Sequence, residues 1–340
     1  MFEETYMVSF LKKLFTNDFD TTEQLPILKV TMLGPSGVGK TSLLAAMYDQ
    51  FDEISQDLQL RAYEDTAPIL DKRLQDLKNM VGTSIKPGDG IQGTGGDEPT
   101  CYRFQFGETG VNPELEIQFQ DYPGGWLEKT NQIEKVMTLI RESAAILIPI
   151  DAAILMENNG EYHEKFNQPN KINDLLKKVY RNLDSPRLVI LAPVKCEKYM
   201  QDNPKQLFDR VKEGYKKVLN QLAGEKLLPK VSVIITPVQT VGNIVFSRIE
   251  KSGNDQITFY YRQRSPNDPY QPQNTELPLR FLLRFLLKLH LDKKRNYWID
   301  WMMDIFGQND SLRNAVSRFS QGSVDDIEIV QGISLLKLTD

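Results

Sequence analysis

Cysteine and histidine are scarce in this chain, which has only two of each among its 340 residues. Cys101 and Cys196 are too few for a disulfide framework or a zinc site built on cysteine. His163 and His290 leave almost no material for a histidine-rich metal site or for a Ser-His-Asp arrangement. The composition therefore argues against several common kinds of enzyme before any motif is considered.

Long apolar runs and an excess of basic residues are also lacking. No run reaches the roughly 18 apolar residues that a membrane-spanning helix needs. Residues 1–5 carry acid where a secretory signal carries base. The chain has 41 Lys and Arg against 46 Asp and Glu, a formal net charge of −5, which argues against sequence-independent binding to nucleic acid. We expect a cytoplasmic protein with no transmembrane segment and no nucleic-acid partner.

The strongest motif is a glycine-rich loop between a strand-like and a helix-like segment. The apolar run 27–33 leads into Gly34-Pro35-Ser36-Gly37-Val38-Gly39-Lys40-Thr41, and residues 42–47 are typical of a helix. The loop fits the pattern G-x-x-x-x-G-K-[ST] in the context that this pattern requires. Its backbone N–H groups can face one concavity at a helix N-terminus, while Lys40 reaches the outer phosphates and Thr41 ligates Mg²⁺. The motif predicts binding of a nucleoside triphosphate with Mg²⁺.

A second motif that is suited to phosphate follows a strand. Segment 115–120 alternates apolar and polar residues and ends in Asp121-Tyr122-Pro123-Gly124, a D-x-x-G element. A carboxylate at the tip of a strand beside the glycine-rich loop is placed to hold Mg²⁺, usually through water. The glycine lets a backbone N–H group approach a γ-phosphate. Together, the two motifs predict a site that switches with the state of the nucleotide.

The strand pattern indicates a mostly parallel sheet. Segments 101–106 and 115–120 alternate and are joined by a connection too short for a parallel crossover, so they should form an antiparallel hairpin. Residues 144–150, 188–194 and 231–238 are continuous apolar runs followed by helix-like sequence, as in strands that are buried on both faces. With the strand before the glycine-rich loop, they predict a three-layer α/β fold. Its six-stranded sheet is parallel except for one antiparallel edge strand.

The same pattern predicts how the chain is divided. We expect an amphipathic N-terminal arm over residues 1–25, a main domain over 26–292 and a C-terminal α extension over 293–340. The main domain has two inserts, at about 52–100 and 243–276. The C-terminal extension contains an aromatic helix, a second short helix and a strand-like end.

The inserts and the helix that follows them have distinct patterns. The first insert should be mainly helical over 52–84 and then irregular over 86–100, where glycine and proline are dense. The second should contain a hairpin of segments 244–249 and 256–261. The helix over 277–291 is apolar almost all round. We interpret it as a helix that covers the sheet rather than as a helix on a membrane surface.

Three further segments, Asp121–Trp126, Pro193–Tyr199 and Thr236–Gly242, carry a family resemblance. Together with the glycine-rich loop, they resemble the TRAFAC class of P-loop GTPases. Over residues 26–292 the chain is especially similar to bacterial TRAFAC clade GTPases of the double-GTPase type, which are linked to prokaryotic conflict systems. The resemblance implies a Ras-like fold and a GTP-binding switch that acts through a protein effector or activator.

The resemblance also implies roles for individual residues in binding phosphate and metal. Lys40 would neutralise charge on the β- and γ-phosphates, Ser42 would contact the α-phosphate, and Gly124 would serve catalysis with Lys40. The phosphates would be cradled by Gly34, Pro35, Ser36, Gly37, Val38 and Gly39. The Mg²⁺ ligands, directly or through water, would be Thr41, Asp121 and a switch I threonine, for which Thr94 and Thr100 are candidates. We prefer Thr94 as this catalytic threonine, because it lies farther from the strand and is freer to close over the γ-phosphate.

The choice of base is implied by Val194-Lys195-Cys196-Glu197, which stands where the family has [NT]-K-x-D. Lys195 would lie along the base, and Glu197 would accept hydrogen bonds from guanine N1 and N2, which adenine does not match. Such charged hydrogen bonds contribute about 1.5–3 kcal/mol. The backbone on the far side of the base would come from Thr236, Pro237 and Val238. Because Val194 replaces an amide or hydroxyl, and glutamate is longer than aspartate, binding of ATP stays open as the alternative.

Hydrolysis is the step for which the family pattern is incomplete. Small GTPases place a water-orienting glutamine directly after D-x-x-G, but this chain has Gly125 there, followed by Trp126. Slow intrinsic hydrolysis follows, unless another group or a partner's arginine completes the site. Arg103 and Arg141 are candidates by proximity in sequence alone. A P-loop ATPase or kinase, and an interaction module that binds nucleotide without turnover, are the alternative functions.

Overall fold

A mostly parallel sheet of eight strands runs through the computed structural model of the chain, which describes residues 25–80, 86–87, 98–252, 256–265, 267–292, 306–307, 309–321 and 326–338. Over the described residues, the strands in chain order are β1 Ile27–Met32, β2 Leu58–Ala62, β3 Lys86–Pro87, β4 Thr100–Glu108, β5 Leu115–Asp121, β6 Ala145–Asp151, β7 Arg187–Val194, β8 Val231–Ile235, β9 Ile244–Ser252, β10 Gln256–Gln263 and β11 Glu328–Gln331.

The helices over the same residues are α1 Lys40–Ile54, α2 Ala67–Met80, α3 Thr130–Glu142, α4 Ala152–Met156, α5 His163–Phe166, α6 Pro169–Val179, α7 Glu197–Asp202, α8 Pro204–Gly214, α9 Lys216–Leu222, α10 Leu277–Leu291 and α11 Asp310–Ser320. A short 3₁₀ turn, Gly124–Glu128, follows β5 directly. Helices alternate with strands over most of the chain, which is the arrangement that a parallel sheet requires.

The order of strands in the large sheet is β11-β8-β7-β6-β1-β5-β4-β2. The five strands from β8 to β5 are parallel, and β4 and β5 form the predicted antiparallel hairpin. The six predicted strands are therefore all present. The prediction that they make up the whole sheet was wrong, because β2 pairs antiparallel with β4 and β11 pairs antiparallel with β8. Each of the two expected sheet edges is covered by one further strand.

The strand β2 also corrects the expectation that residues 52–84 are mainly helical. Leu58 and Leu60 of this strand are buried, and they extend the sheet beyond β4. The outer edge of β4 offers a row of backbone N–H and C=O groups, and pairing with that edge decides the structure of a short segment whose own preference is weak. Farther along the insert, residues Ala67–Met80 form the helix α2, as expected, and α2 packs on α1.

Every residue of β6, β7 and β8 is buried, because helices cover both faces of the large sheet. Three of them, α3, α6 and α9, pack against one another in series, and α10 packs on β7 and on α11. The helix predicted over 277–291 is present and buried in the core, as we interpreted it. The hairpin of the second insert is also confirmed, since β9 and β10 pair antiparallel in a small sheet of order β3-β10-β9.

The described part of the C-terminal extension joins the same core. Helix α11 is the second short helix that the sequence predicts, and the ring of its Phe319 lies 5.6 Å from that of Phe51 in α1. The predicted aromatic helix lies almost wholly outside the described residues, and so do residues 1–24 of the arm and the preferred threonine, Thr94. In the part of the chain that is described, no helix is long and apolar enough to cross a membrane.

Candidate nucleotide-binding site

The carboxyl ends of β1, β5 and β7 border a cavity of about 320 Å³. This is the edge of a parallel sheet at which ligands bind in open α/β folds. Three groups of predicted residues meet there: the loop after β1, the D-x-x-G segment after β5, and the segment after β7. The predicted residues that line the cavity are Ser36, Gly37, Gly39, Lys40, Thr41, Ser42, Thr100, Asp121, Gly124, Lys195 and Glu197. The other loop residues, Gly34, Pro35 and Val38, are buried and do not line the cavity.

The glycine-rich loop closes tightly because two of its residues have left-handed backbone conformations. Gly37 has φ 78° and Gly39 has φ 114°, which L side chains rarely adopt. Gly39 also approaches β7 so closely that a Cβ atom on it would lie 3.1 Å from Val194 Cγ2. Helix α1 begins directly afterwards, at Lys40. Since Gly39 has no side chain to cap it, the first N–H groups of α1 are available to an anion in the cavity.

Lys40 and Asp121 form a buried ion pair at the centre of the cavity wall. Lys40 Nζ lies 3.1 Å from Asp121 Oδ1 and donates hydrogen bonds to the carbonyl oxygens of Gly34, at 2.7 Å, and Pro35, at 3.2 Å. Burial raises the pKa of Asp121, and the ammonium group of Lys40 opposes that rise. Asp121 Oδ1 accepts no well-aligned hydrogen bond from the described residues. The contact is therefore chiefly an ion pair, and lone pairs of the carboxylate remain for a further partner.

Gly124 lies directly against the glycine-rich loop. A Cβ atom at this position would be 2.1 Å from the backbone nitrogen of Ser36, so only glycine fits. The intervening Tyr122 fixes the same contact, because its hydroxyl accepts a hydrogen bond from the N–H group of Gly34 at 3.1 Å. The D-x-x-G segment is thus held against the glycine-rich loop and its Lys40 by its first, second and fourth residues.

The hydroxyl of Thr41 lies on the same side, 3.2 Å from the hydroxyl of Tyr102. Thr100, the alternative switch I threonine, begins β4 and stands opposite Asp121 in the register of β4 and β5. Both threonines line the cavity beside Asp121. Hydroxyl and carboxylate oxygens are the ligands that Mg²⁺ prefers. A magnesium ion therefore fits this donor set, in which one buried carboxylate oxygen has no well-aligned partner among the described residues.

Lys195 and Glu197 lie at the other end of the cavity. Lys195 has the left-handed φ of 54°, and its ammonium group donates to the carbonyl oxygen of Gly37 at 3.4 Å and pairs with the buried carboxylate of Asp151. The side chain thus spans from β7 back to the glycine-rich loop. Asp151, at the end of β6, has no motif of its own, and sequence reasoning missed it.

Glu197 is buried, and its Oε1 atom accepts hydrogen bonds from the N–H groups of Val241, at 3.2 Å, and Gly242, at 3.3 Å. Burial raises the pKa of Glu197, and these N–H groups oppose the rise. Because Glu197 also lines the cavity, its carboxylate can accept hydrogen bonds from N–H donors of a ligand.

The segment after β8 is placed differently from the prediction. Thr236 and Val238 are buried, and Val238 forms an isolated bridge with Val194, but Thr236, Pro237 and Val238 do not line the cavity. Thr240 and Val241 line it instead. The chain therefore reaches the cavity a few residues later than the motif indicates. The connection after β8 first packs against β7.

Several lining residues come from α2 and from the second insert, which sequence reasoning did not connect with the site. Helix α2 contributes Arg73, Leu77 and Met80, whose spacing places them on one helix face, and the β9–β10 hairpin contributes Ile244 and Tyr261. The helical spacing in α2 was visible in the sequence, but nothing there showed what that face covers.

The arginines named from the sequence lie elsewhere. Arg103 forms a hydrogen-bonded ion pair with Glu116 and stacks on Tyr63, with its guanidinium carbon 4.1 Å from the ring centroid. Arg141 is exposed near the end of α3, and neither arginine lines the cavity. Arg73 does line the cavity and is buried. Its burial lowers the pKa of the guanidinium group.

A comparison with known protein families agrees with the class of this site. The sequence profile of the family described as Double-GTPase 2 matches residues 29–234. No curated protein sequence matches the chain. Among solved structures, the GTPase-like domain of S. cerevisiae Ski7 bound to GTP aligns with a TM-score of 0.39 and 14% identity, over 63% of this chain and 43% of that one. The same domain bound to GDP and inorganic phosphate aligns with a TM-score of 0.39 and 13% identity, over 68% and 45%.

The alignments thus span less than half of each Ski7 chain. The family profile, by contrast, covers more than half of the present chain and includes the glycine-rich loop, the D-x-x-G segment and the Val194–Glu197 element. On that match, the chain belongs to the Double-GTPase 2 family and is a GTP-binding domain of the TRAFAC class.

Proposed function

We propose that this chain binds GTP with Mg²⁺ in the cavity at the sheet edge, hydrolyses it slowly and acts as a molecular switch on a protein partner. The observation that carries the proposal is the convergence of the glycine-rich loop, the D-x-x-G segment and Glu197 on one cavity. A role in a prokaryotic conflict or defence system is proposed from the family resemblance alone.

The phosphate end of the cavity supports binding of a triphosphate. Lys40 already lies among carbonyl oxygens of the loop and beside Asp121, so phosphate oxygens would replace those carbonyl contacts. Thr41 and Asp121 would hold Mg²⁺, with Thr94 or Thr100 as the third protein group. Bound there, Mg²⁺ would neutralise charge that develops on the phosphates. Gly124 would present its N–H group to the γ-phosphate.

The base end supports guanine over adenine. Glu197 is a buried acceptor that lines the cavity, and guanine offers it N1–H and N2–H donors, whereas adenine has no donor at N1 or C2. Lys195 would lie along the base, as its position beside Gly37 allows. Thr240 and Val241 would border the base where we first expected Thr236, Pro237 and Val238.

Hydrolysis would depend on a group other than the missing glutamine. Gly125 lines the cavity and has no side chain that could orient water. Arg73 reaches the cavity from α2 within the same chain, and among its electrostatic neighbours is Tyr102, whose hydroxyl contacts Thr41. We assign to Arg73 the stabilisation of charge on the transferred phosphoryl group, the role that an arginine finger plays in other GTPases.

The proposed switch consists of the segments that would touch the γ-phosphate, namely the part of the first insert before β4 and the turn Gly124–Glu128. A γ-phosphate that orders such segments, and its loss on hydrolysis, changes the surface that they present. A protein effector or activator would recognise that surface. The net charge of −5 gives no support to a nucleic-acid partner.

Binding of GTP, GDP and ATP to the purified chain, with and without Mg²⁺, tests the proposal. We expect GTP to bind more tightly than ATP, and GTP at 100 times its Kd to raise the free energy of unfolding by about 2.7 kcal/mol. Lys40→Ala should abolish both effects, since a buried carboxylate would then face the phosphates without its cation. Stronger stabilisation by ATP than by GTP would contradict guanine specificity.

Phosphate release under multiple turnover separates the enzyme from the alternatives. We expect slow release from GTP that disappears in Lys40→Ala. Binding of GTP without any release, even over long incubation, would instead support an interaction module that does not turn over. Transfer of labelled phosphate to an acceptor other than water would support a kinase.

A further inference from the structure

Tyr261 lines the nucleotide cavity from the β9–β10 hairpin, a part of the chain with no nucleotide motif. The pairing of β9 and β10 is irregular between Tyr260 and Tyr261, and such bulges re-aim side chains beside functional sites. The ring of Tyr261 stands edge-on to Phe246, with centroids 6.1 Å apart, and Lys195 Nζ lies 5.7 Å from its centroid. The second insert therefore reaches the end of the cavity at which the base is proposed to bind.

The hydroxyl of Tyr261 is buried without a hydrogen-bond partner among the described residues, and the residue as a whole is 4% exposed. Burial raises the pKa of Tyr261 well above its ordinary value, and the neighbouring carboxyl groups of Asp151, Glu197 and Glu157 and the phenol of Tyr199 raise it further. The phenol thus keeps its proton and remains a donor over the physiological range of pH. A buried donor without an acceptor is unfavourable, and a ligand acceptor in the cavity would remove that penalty.

Val194, the residue before Lys195, lacks a polar group that could bond to a base. Val194 stands where the resembled element has an amide or hydroxyl side chain, and it packs against Gly39 at 1% exposure. It offers no hydrogen bond to a base. Glu197, as a carboxylate, accepts hydrogen bonds but cannot donate one. Guanine, however, carries two acceptors, O6 and N7, on the edge beside its N1–H and N2–H donors.

We propose that the hydroxyl of Tyr261 donates a hydrogen bond to the O6 and N7 edge of the bound guanine and supplies the donor that Val194 lacks. The proposal rests on the proposed function, because it takes guanine as the base. It makes Tyr261 a residue that determines base specificity together with Glu197, each reading a different edge. The hairpin insert then serves as the lid of the base pocket.

Tyr261→Phe removes this hydroxyl and leaves the ring in place. Its matched control is Tyr260→Phe, because the neighbouring Tyr260 stacks on Arg248, has its hydroxyl bonded to Glu250 and does not line the cavity. Equilibrium binding should be measured for GTP, 7-deaza-GTP, which lacks N7, and 6-thio-GTP, whose sulfur is a weak acceptor. A circular dichroism spectrum of each variant checks the fold.

We expect Tyr261→Phe to weaken GTP binding about tenfold and to weaken binding of at least one analogue less. The unaltered protein should discriminate against that same analogue, and Tyr260→Phe should retain the discrimination. GTP binding that Tyr261→Phe leaves unchanged, or an equal loss for GTP and both analogues, would overturn this inference alone. Weaker binding of GTP than of ATP by the unaltered protein would overturn the proposed function and this inference with it.

Discussion

At the scale of single residues, the site depends on charges that are held in a buried wall. Lys40 and Asp121 are both less than one-tenth exposed, and desolvation of such a pair offsets much of its attraction. The upward shift in the pKa of Asp121 despite the nearby ammonium group has this cause. The pair is therefore suited to exchange its partners for phosphate and a hydrated cation. A buried ion pair of this kind is weak evidence for a purely stabilising role.

Glu197 gives a prediction about pH. Burial raises its pKa above the ordinary 4.5 in the free protein, and guanine binds the carboxylate form. Preference for GTP should therefore be full above the raised pKa and fall as the pH drops through it, by about tenfold per unit below it. The Kd for ATP divided by the Kd for GTP measures this preference, because titration of the triphosphate cancels. Glu197→Gln should give a lower ratio that no longer varies with pH, and an unchanged pH profile in that variant would contradict the assignment.

Arg73 gives a prediction about rate. If its guanidinium group stabilises the transferred phosphoryl group, Arg73→Ala should lower kcat for GTP hydrolysis by about 10³ or more and change the Kd for GTP little. Arg73→Lys should not restore the rate, since an ammonium group lacks the planar fork of donors. The readouts are single-turnover hydrolysis and binding of GDP with aluminium fluoride. Arg61→Ala, on the exposed side of β2, is the control. Equal losses in binding and rate would indicate a structural role for Arg73.

At the scale of elements, the turn after β5 must touch the glycine-rich loop. Gly124→Ala would place a methyl group 2.1 Å from the nitrogen of Ser36 and push the two segments apart. We expect GTP binding to weaken by at least tenfold and GDP binding to change less, because only GTP has the γ-phosphate that we propose to meet this turn. Gly125→Ala is a matched control, since a Cβ atom there meets nothing within 4 Å. Equal losses for GTP and GDP would show that the turn does not sense the γ-phosphate.

At the scale of the whole molecule, the described end of the chain completes the core. Phe319 of α11 packs on Phe51 of α1, the helix that follows the glycine-rich loop, and β11 closes the edge of the sheet at β8. The extension therefore supports the elements that form the site, although its separation from the main domain at residue 292 stays a prediction.

Phe319→Ala should lower the free energy of unfolding by about 3 kcal/mol, at the low end of the range for buried phenylalanine, because this side chain lies at the rim of the core. Ile333→Ala, in the same extension but 61% exposed, should change it by less than about 0.5 kcal/mol. Unfolding in denaturant measures both. A loss near zero for Phe319→Ala would mean that α11 is dispensable to the core.

The glycine-rich loop, the hairpin of β4 and β5 and the buried strands β6 to β8 were predictable because each has a local cause. Positive φ at Gly37 and Gly39, a short connection and unbroken apolar runs are properties of neighbouring residues. The strand β2 could not be predicted, since its 5 residues take their structure from the open edge of β4. The strand-like end of the extension was predicted, and β11 lies in it, but its pairing with the edge of β8 was not.

The sequence predicted the α/β class of the fold and singled out Lys40, Asp121 and Glu197, which lie around one cavity in the structure. Folding brings Arg73 and Tyr261 to the same cavity, and it places Thr240 and Val241 in the lining, where the sequence predicted Thr236–Val238. The reason is distance along the chain. A motif consists of residues within one strand and the loop after it. Arg73 and Tyr261, by contrast, reach the cavity because two inserts fold over the end of the sheet.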